Sequence, residues 1–138
     1  MLSTISNALD TYLQAELTGN ALDVAWEGVE YNPETDRPYL RVTLSAYTRI
    51  PQGPGANTIF LERGTYSVVV VWPVGAGKAP ALAEADKIRA MFPRGLSLTL
   101  SGQAPLIVQG TSLAPASDTG DWLNVPVMVG WLTSEFGP

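Results

Sequence analysis

Between Ser3 and Leu17, apolar side chains fall at Ile5, Ala8, Leu9, Tyr12, Leu13 and Leu17. Steps of three and four residues lay one apolar stripe along a helix. Ser3 or Thr4 can cap its start and Gly19-Asn20 can end it. Val24 to Tyr31 predicts a strand, broken by Gly28 and closed by Asn32-Pro33, with turn chemistry over residues 33–37. From Leu40 to Tyr47 the pattern changes to a period of two. Leu40, Val42, Leu44 and Ala46 alternate with Arg41, Thr43, Ser45 and Tyr47, which defines a half-buried strand. Residues 49–58 are rich in glycine and proline and form a loop long for a hairpin.

The next strand, about Ile59 to Trp72, is apolar on both faces through its second half, so it is covered by core on one side and by a helix or a partner on the other. Gly75-Ala76-Gly77-Lys78 leads into a second helix, Ala79 to Phe92, with Pro80 in its first turn. Leu82, Ala85, Ile88, Met91 and Phe92 form its inward stripe, and Pro93 and Gly95 stop it. Leu96, Leu98 and Leu100 make a further strand. Ser101-Gly102 turns the chain into another near Leu106 to Gly110. A last strand, Trp122 to Leu132, carries Pro126, which implies an edge position or a bulge. The expectation is a single α+β domain over residues 1–138, in the order α-β-β-β-α-β-β-β. It has a mostly antiparallel β-sheet or sandwich of about six strands packed with two helices. The second strand pairs with the third, and the fourth with the fifth.

Composition removes most chemistry from this frame. The 138 residues contain no cysteine and no histidine. Thiolate catalysis and a Ser-His-Asp relay are therefore impossible, and a transition-metal site loses its commonest ligands. No run approaches the roughly 18 apolar residues of a membrane span. The first helix carries Asp10 and Glu16 without a base, unlike a signal peptide, so folding in a cytoplasm is expected.

Charge is unevenly spread. Residues 1–36 carry −7, residues 37–94 carry +5 and residues 95–138 carry −3, for a total of −5. An acidic total disfavours duplex nucleic acid as the main partner. The asymmetry suits head-to-tail association of copies, although exposed charges alone are often solvated and weak.

The glycine loop has the context of a phosphate site, a strand before it and a helix after it, but not the residues. Trp72 stands where the first glycine is needed, and Ala79 where a hydroxyl would hold magnesium. Glu84 and Asp86 are two apart and do not share a helix face. They fit surface pairs with Lys87 and Arg89 instead. Trp26, Trp72, Trp122 and Trp131 read as packing residues rather than a ligand platform. No cofactor is expected. Arg49, Arg63 and Arg94 read as sitting at loops or element ends, either as solubilising charges or as anchors for acidic patches on a neighbour.

Several segments, in order, resemble the phage tail-terminator-like family. They are Ile5-Ser6-Asn7-Ala8-Leu9, Val24-Ala25-Trp26-Glu27-Gly28-Val29, Pro38-Tyr39-Leu40-Arg41-Val42-Thr43-Leu44 and Gly53-Pro54-Gly55-Ala56. Arg63-Gly64-Thr65-Tyr66, Ala85-Asp86-Lys87-Ile88, Phe92-Pro93-Arg94-Gly95 and Asp121-Trp122 continue the series, with little likeness over residues 111–120 and 133–138. The resemblance implies a non-enzymatic virion protein of long, non-contractile tails, assembled in the host cytoplasm. It implies a hexameric ring at the head-proximal end of the tail tube, ending polymerisation and offering a surface to the head-tail connector. DNA would pass through the lumen without sequence-specific contacts. A head-side neck or connector-completion protein is the alternative. On either reading, Arg49, Gln52, Gly53, Gly55, Arg63 and Arg94 are the candidate subunit or tube contacts.

Overall fold

The computed structural model describes residues 2–18, 22–33, 37–75, 77–100 and 104–137. Two helices and seven strands occupy them. These are α1 (Leu2–Glu16), β1 (Asp23–Ala25), β2 (Tyr39–Pro51), β3 (Thr58–Pro73), α2 (Ala79–Met91), β4 (Ser97–Leu98), β5 (Leu106–Leu113), β6 (Ser117–Thr119) and β7 (Trp122–Gly137). The fold is α+β with a single curled sheet, not a two-sheet sandwich, in the order β1-β2-β3-β7-β5-β4, and β6 pairs with β7. Among the described strands, only β1 and β2 run parallel. The expected hairpins are present, β2 against β3 and β4 against β5, and β6 is an extra short strand.

Both helices lie on one face of the sheet. Ile5, Leu9 and Leu13 repeat every four residues along α1 and are fully buried. They meet Ala81, Ala85 and Ile88 of α2 and the even-numbered residues of β3, Tyr66, Val68 and Val70. Val125, Val127, Val129 and Trp131 of β7 complete this core. Side-chain hydrogen bonds pin α1. The Tyr66 hydroxyl donates to Asp10 Oδ1 at 2.6 Å, and the Tyr12 hydroxyl donates to the Met91 carbonyl. On the opposite face a second apolar cluster gathers at Val69 and Val71. In place of the helix or partner expected over β3, the chain's own Tyr39, Tyr31 and Trp122 pack there.

Several expectations are corrected. The strand expected over Val24 to Tyr31 is three residues long, because the chain turns at Glu27-Gly28-Val29. Gly28, with φ +80°, favours that turn over extension. The long loop shrinks to residues 52–57, since β2 runs on to Pro51 and β3 begins at Thr58. Leu82 is exposed, and Ala81 and Glu84 take the inward positions with Ala85 and Ile88. The α1 cap at Gly19-Asn20 and the Ser101-Gly102 turn lie outside the described residues, as do residues 34–36.

Pro126 sits in a central strand rather than at an edge. Its carbonyl accepts from the Ala114 amide, so its own nitrogen faces the same side. That is where β5 ends at Leu113↔Val127 and β6 begins at Ser117↔Asn124. The missing N–H falls in this gap, and pairing with β3 continues through Val69↔Pro126.

Candidate functional site

Beyond the helices, β2, β3 and β7 continue as a three-stranded arm. Among the described residues, β1 pairs only with Tyr39–Arg41, and β5 leaves β7 after Leu132. Arg49, Gln52, Gly53 and Gly55 come together here, at the β2–β3 hairpin. The Gln52 amide donates to the Ile59 carbonyl at 2.9 Å and closes the loop. Gly55 has φ +100°, a conformation glycine adopts without penalty. Arg63 and Arg94 lie elsewhere. Arg63 is exposed within β3, opposite Thr48 and Leu132, not at a strand end. Arg94 follows α2 and shares a hollow with Arg89.

Arg49 is likewise inside a strand, and its guanidinium is engaged within the chain. It donates from Nε to Glu62 Oε1 at 3.0 Å, reaches Glu135 Oε2 at 3.7 Å, and lies 3.6 Å from the centre of the Phe60 ring. Register explains the cluster, because Arg49↔Glu62 and Phe60↔Glu135 are neighbouring pairs on one face.

Glu62 is fully buried, and its Oε2 has no hydrogen-bond partner among the described residues. Burial pushes its pKa up and the nearby Glu135 adds to this, while Tyr47 and Arg49 pull the other way. Sequence reasoning passed over Glu62. The available signal was its parity with Tyr66 in a strand whose even positions form the core. The Tyr66 hydroxyl is also held protonated, first by burial and then by Asp10. Burial raises the Asp10 pKa, opposed by the Tyr66 hydrogen bond.

The opposite face of the arm is apolar and open. Ile59 and Phe136 are register partners at its tip, 53% and 71% exposed. The tryptophans form no shared platform. Trp131 is fully buried, Trp26 and Trp72 pack against the helix-side core, and Trp122 stacks edge-on to Tyr39 on the other face.

The glycine loop borders a hollow of about 350 Å³ lined by Val74, Gly75, Gly77, Lys78 and Asp118 among others. The Asp118 carboxylate opposes an anion there, in keeping with the missing hydroxyl. Of the surface pairs expected on α2, Glu84–Lys87 forms at 3.8 Å, but Glu84 is nearly buried rather than solvated. Among the described residues, no group of acidic side chains is arranged to hold a metal. None of the helices there is long and apolar enough to cross a membrane.

A single curled sheet with two helices on one face is an architecture shared with solved structures. One chain of nearly equal length superposes with a TM-score of 0.73 at 25% identity, covering 100% of this chain and 98% of the other. A chain from the virion of a native gene transfer agent particle matches with a TM-score of 0.61 at 19% identity, covering 94% of each, which speaks to the fold. No curated protein matches the sequence. The sequence profile of the phage tail terminator protein family matches residues 4–131, and the chain belongs to that family. It is a structural protein of the phage tail.

Proposed function

We propose that this chain caps the head-proximal end of the tail tube as a homo-oligomeric ring, hexameric in the finished tail. It stops tube polymerisation and offers the joining surface for the head connector. The observation that carries this reading is the family match over residues 4–131. It favours the tail side over a head-side neck protein. The task is mechanical and needs no catalytic group or cofactor, and assembly takes place in the host cytoplasm. DNA crosses the lumen without base-specific contacts.

The arm is the element best suited to the tube. It places Gln52, Gly53 and Gly55 in its loop and the Ile59–Phe136 pair at its tip. Exposed apolar side chains gathered at one place are the usual mark of a contact surface. Arg63, on the same outer face, adds a charge for an acidic patch. Arg49 takes part by holding the arm together, since its guanidinium already faces Glu62 and Glu135.

Native mass spectrometry and size-exclusion chromatography of the purified protein, with and without tail tubes, test the assembly. A ring in solution or on tube ends is expected, with residues 52–57 gaining protection from proteolysis on docking. A strict monomer that never binds tube ends refutes the proposal.

A further inference from the structure

At the C-terminal end of α2, Arg89 and Arg94 line a hollow of about 510 Å³ with Phe92, Gly110, Thr111 and Asp86. Both arginines are exposed, and neither forms an ion pair among the described residues. Two guanidinium groups and the Thr111 hydroxyl against one carboxylate leave the hollow with an excess of positive charge and of donors. Arginine in this setting suits a carboxylate-bearing partner.

The complementary feature lies at the other end of the same helix. Asp118 and Asp121 flank the Gly120 turn of the β6–β7 hairpin, both exposed and both without an ion pair among the described residues. Asp118 shares a hollow with Lys78, the residue before α2. A helix of 13 residues spans roughly 20 Å at 1.5 Å per residue. The acidic hairpin and the arginine hollow therefore cannot meet within one chain. They can meet between copies, with each copy donating one feature and receiving the other. A contact between two different patches repeats around a ring, whereas a two-fold contact closes at a dimer.

We infer that the Asp118–Asp121 hairpin of one copy docks into the Arg89–Arg94 hollow of the next, making this charge pair the head-to-tail joint of the ring. The inference rests on the ring reading above and names its interface. It also redirects the charge asymmetry of the sequence. Part of the basic middle is used within the subunit, through Arg37–Asp23 and Arg49–Glu135, and the arginines of the α2 hollow remain for a neighbour.

The test is a charge swap read by native mass spectrometry at low and high salt. The variants are Arg89→Glu with Arg94→Glu, and Asp118→Arg with Asp121→Arg. All four positions are exposed, and circular dichroism checks that both variants fold. Each variant alone is expected to lose the ring, with subunit affinity falling about tenfold or more for each reversed pair. Mixed one to one, the two variants restore it, because every joint then carries either the native pair or its mirror. Wild-type rings weaken as salt screens the joint.

Variants that keep the ring overturn the joint and leave the ring reading standing, as does a loss of tube binding without loss of the ring. A mixture that stays monomeric also overturns the joint. A wild-type protein that stops at a dimer overturns the head-to-tail geometry. A wild-type protein monomeric even on tube ends removes the ring reading with it.

Discussion

A carboxyl group sealed from water must be answered by its neighbours, and at Glu62 the answer is incomplete. Arg49 binds one oxygen, and the other is buried beside Glu135 without a hydrogen bond among the described residues. Burial therefore favours the protonated acid. A carboxyl whose pKa is higher in the fold than in the unfolded chain stabilises the fold fully at acid pH. That contribution is lost as pH rises through the folded value. The window begins at the ordinary glutamate value of 4.5 and extends upward. Tyr47 and Arg49 from β2 and Glu135 from β7 are the charged and titratable groups facing it. In Glu62→Gln the amide takes the place of the protonated acid, so its melting temperature should fall less steeply above that pH. Parallel melting curves for the two proteins from pH 4.5 to 8, followed by circular dichroism, would contradict the assignment.

The elements differ in how much they rest on one another. α1 is joined to the rest by an apolar stripe and two hydroxyl hydrogen bonds, so its docking depends on a few side chains. Leu9→Ala empties a fully buried site and should cost about 2–5 kcal/mol in urea unfolding. A loss below 1 kcal/mol would mean that α1 is not part of the cooperative fold. This helix was legible in the sequence because its pattern is local, as was the alternation of β2. The length of β1 was not, because Val24 to Tyr31 has strand-like composition while pairing and the Gly28 turn decide where the strand stops. Pro126 misled for a related reason. Proline reports that one N–H is absent, not whether a sheet has a gap to receive it. Of the candidate site, the hairpin residues were legible as a glycine-rich loop. The positions of Arg49 and Arg63 were not, because the strands continue through residues whose composition reads as loop.

As a whole molecule, the protein divides into a packed half, helices over sheet, and the β2–β3–β7 arm, where part of the ribbon has no covering helix. On the reading proposed above, the first carries stability and the subunit joint, and the second the contact with the tube. Phe136→Ser tests this division. At 71% exposure the change should leave folding stability within about 0.5 kcal/mol while weakening binding to tube ends. Unfolding curves and tube co-sedimentation, measured on the same preparation, report the two quantities. Binding equal to wild type would remove the arm tip from the tube interface.

Among the described residues, the arm also has strand edges without a neighbouring strand, along β2 past Leu44 and along β7 past Thr133. Such edges invite pairing with any extended chain, and inward-pointing charge is one way proteins blunt them. The Arg49–Glu62–Glu135 cluster occupies that position. An arm held by apolar side chains alone would lack this guard against aggregation during the interval between synthesis and docking. The Arg49–Glu135 pair around Glu62 thus acquires a second meaning, as a guard on the free subunit against stray strand pairing.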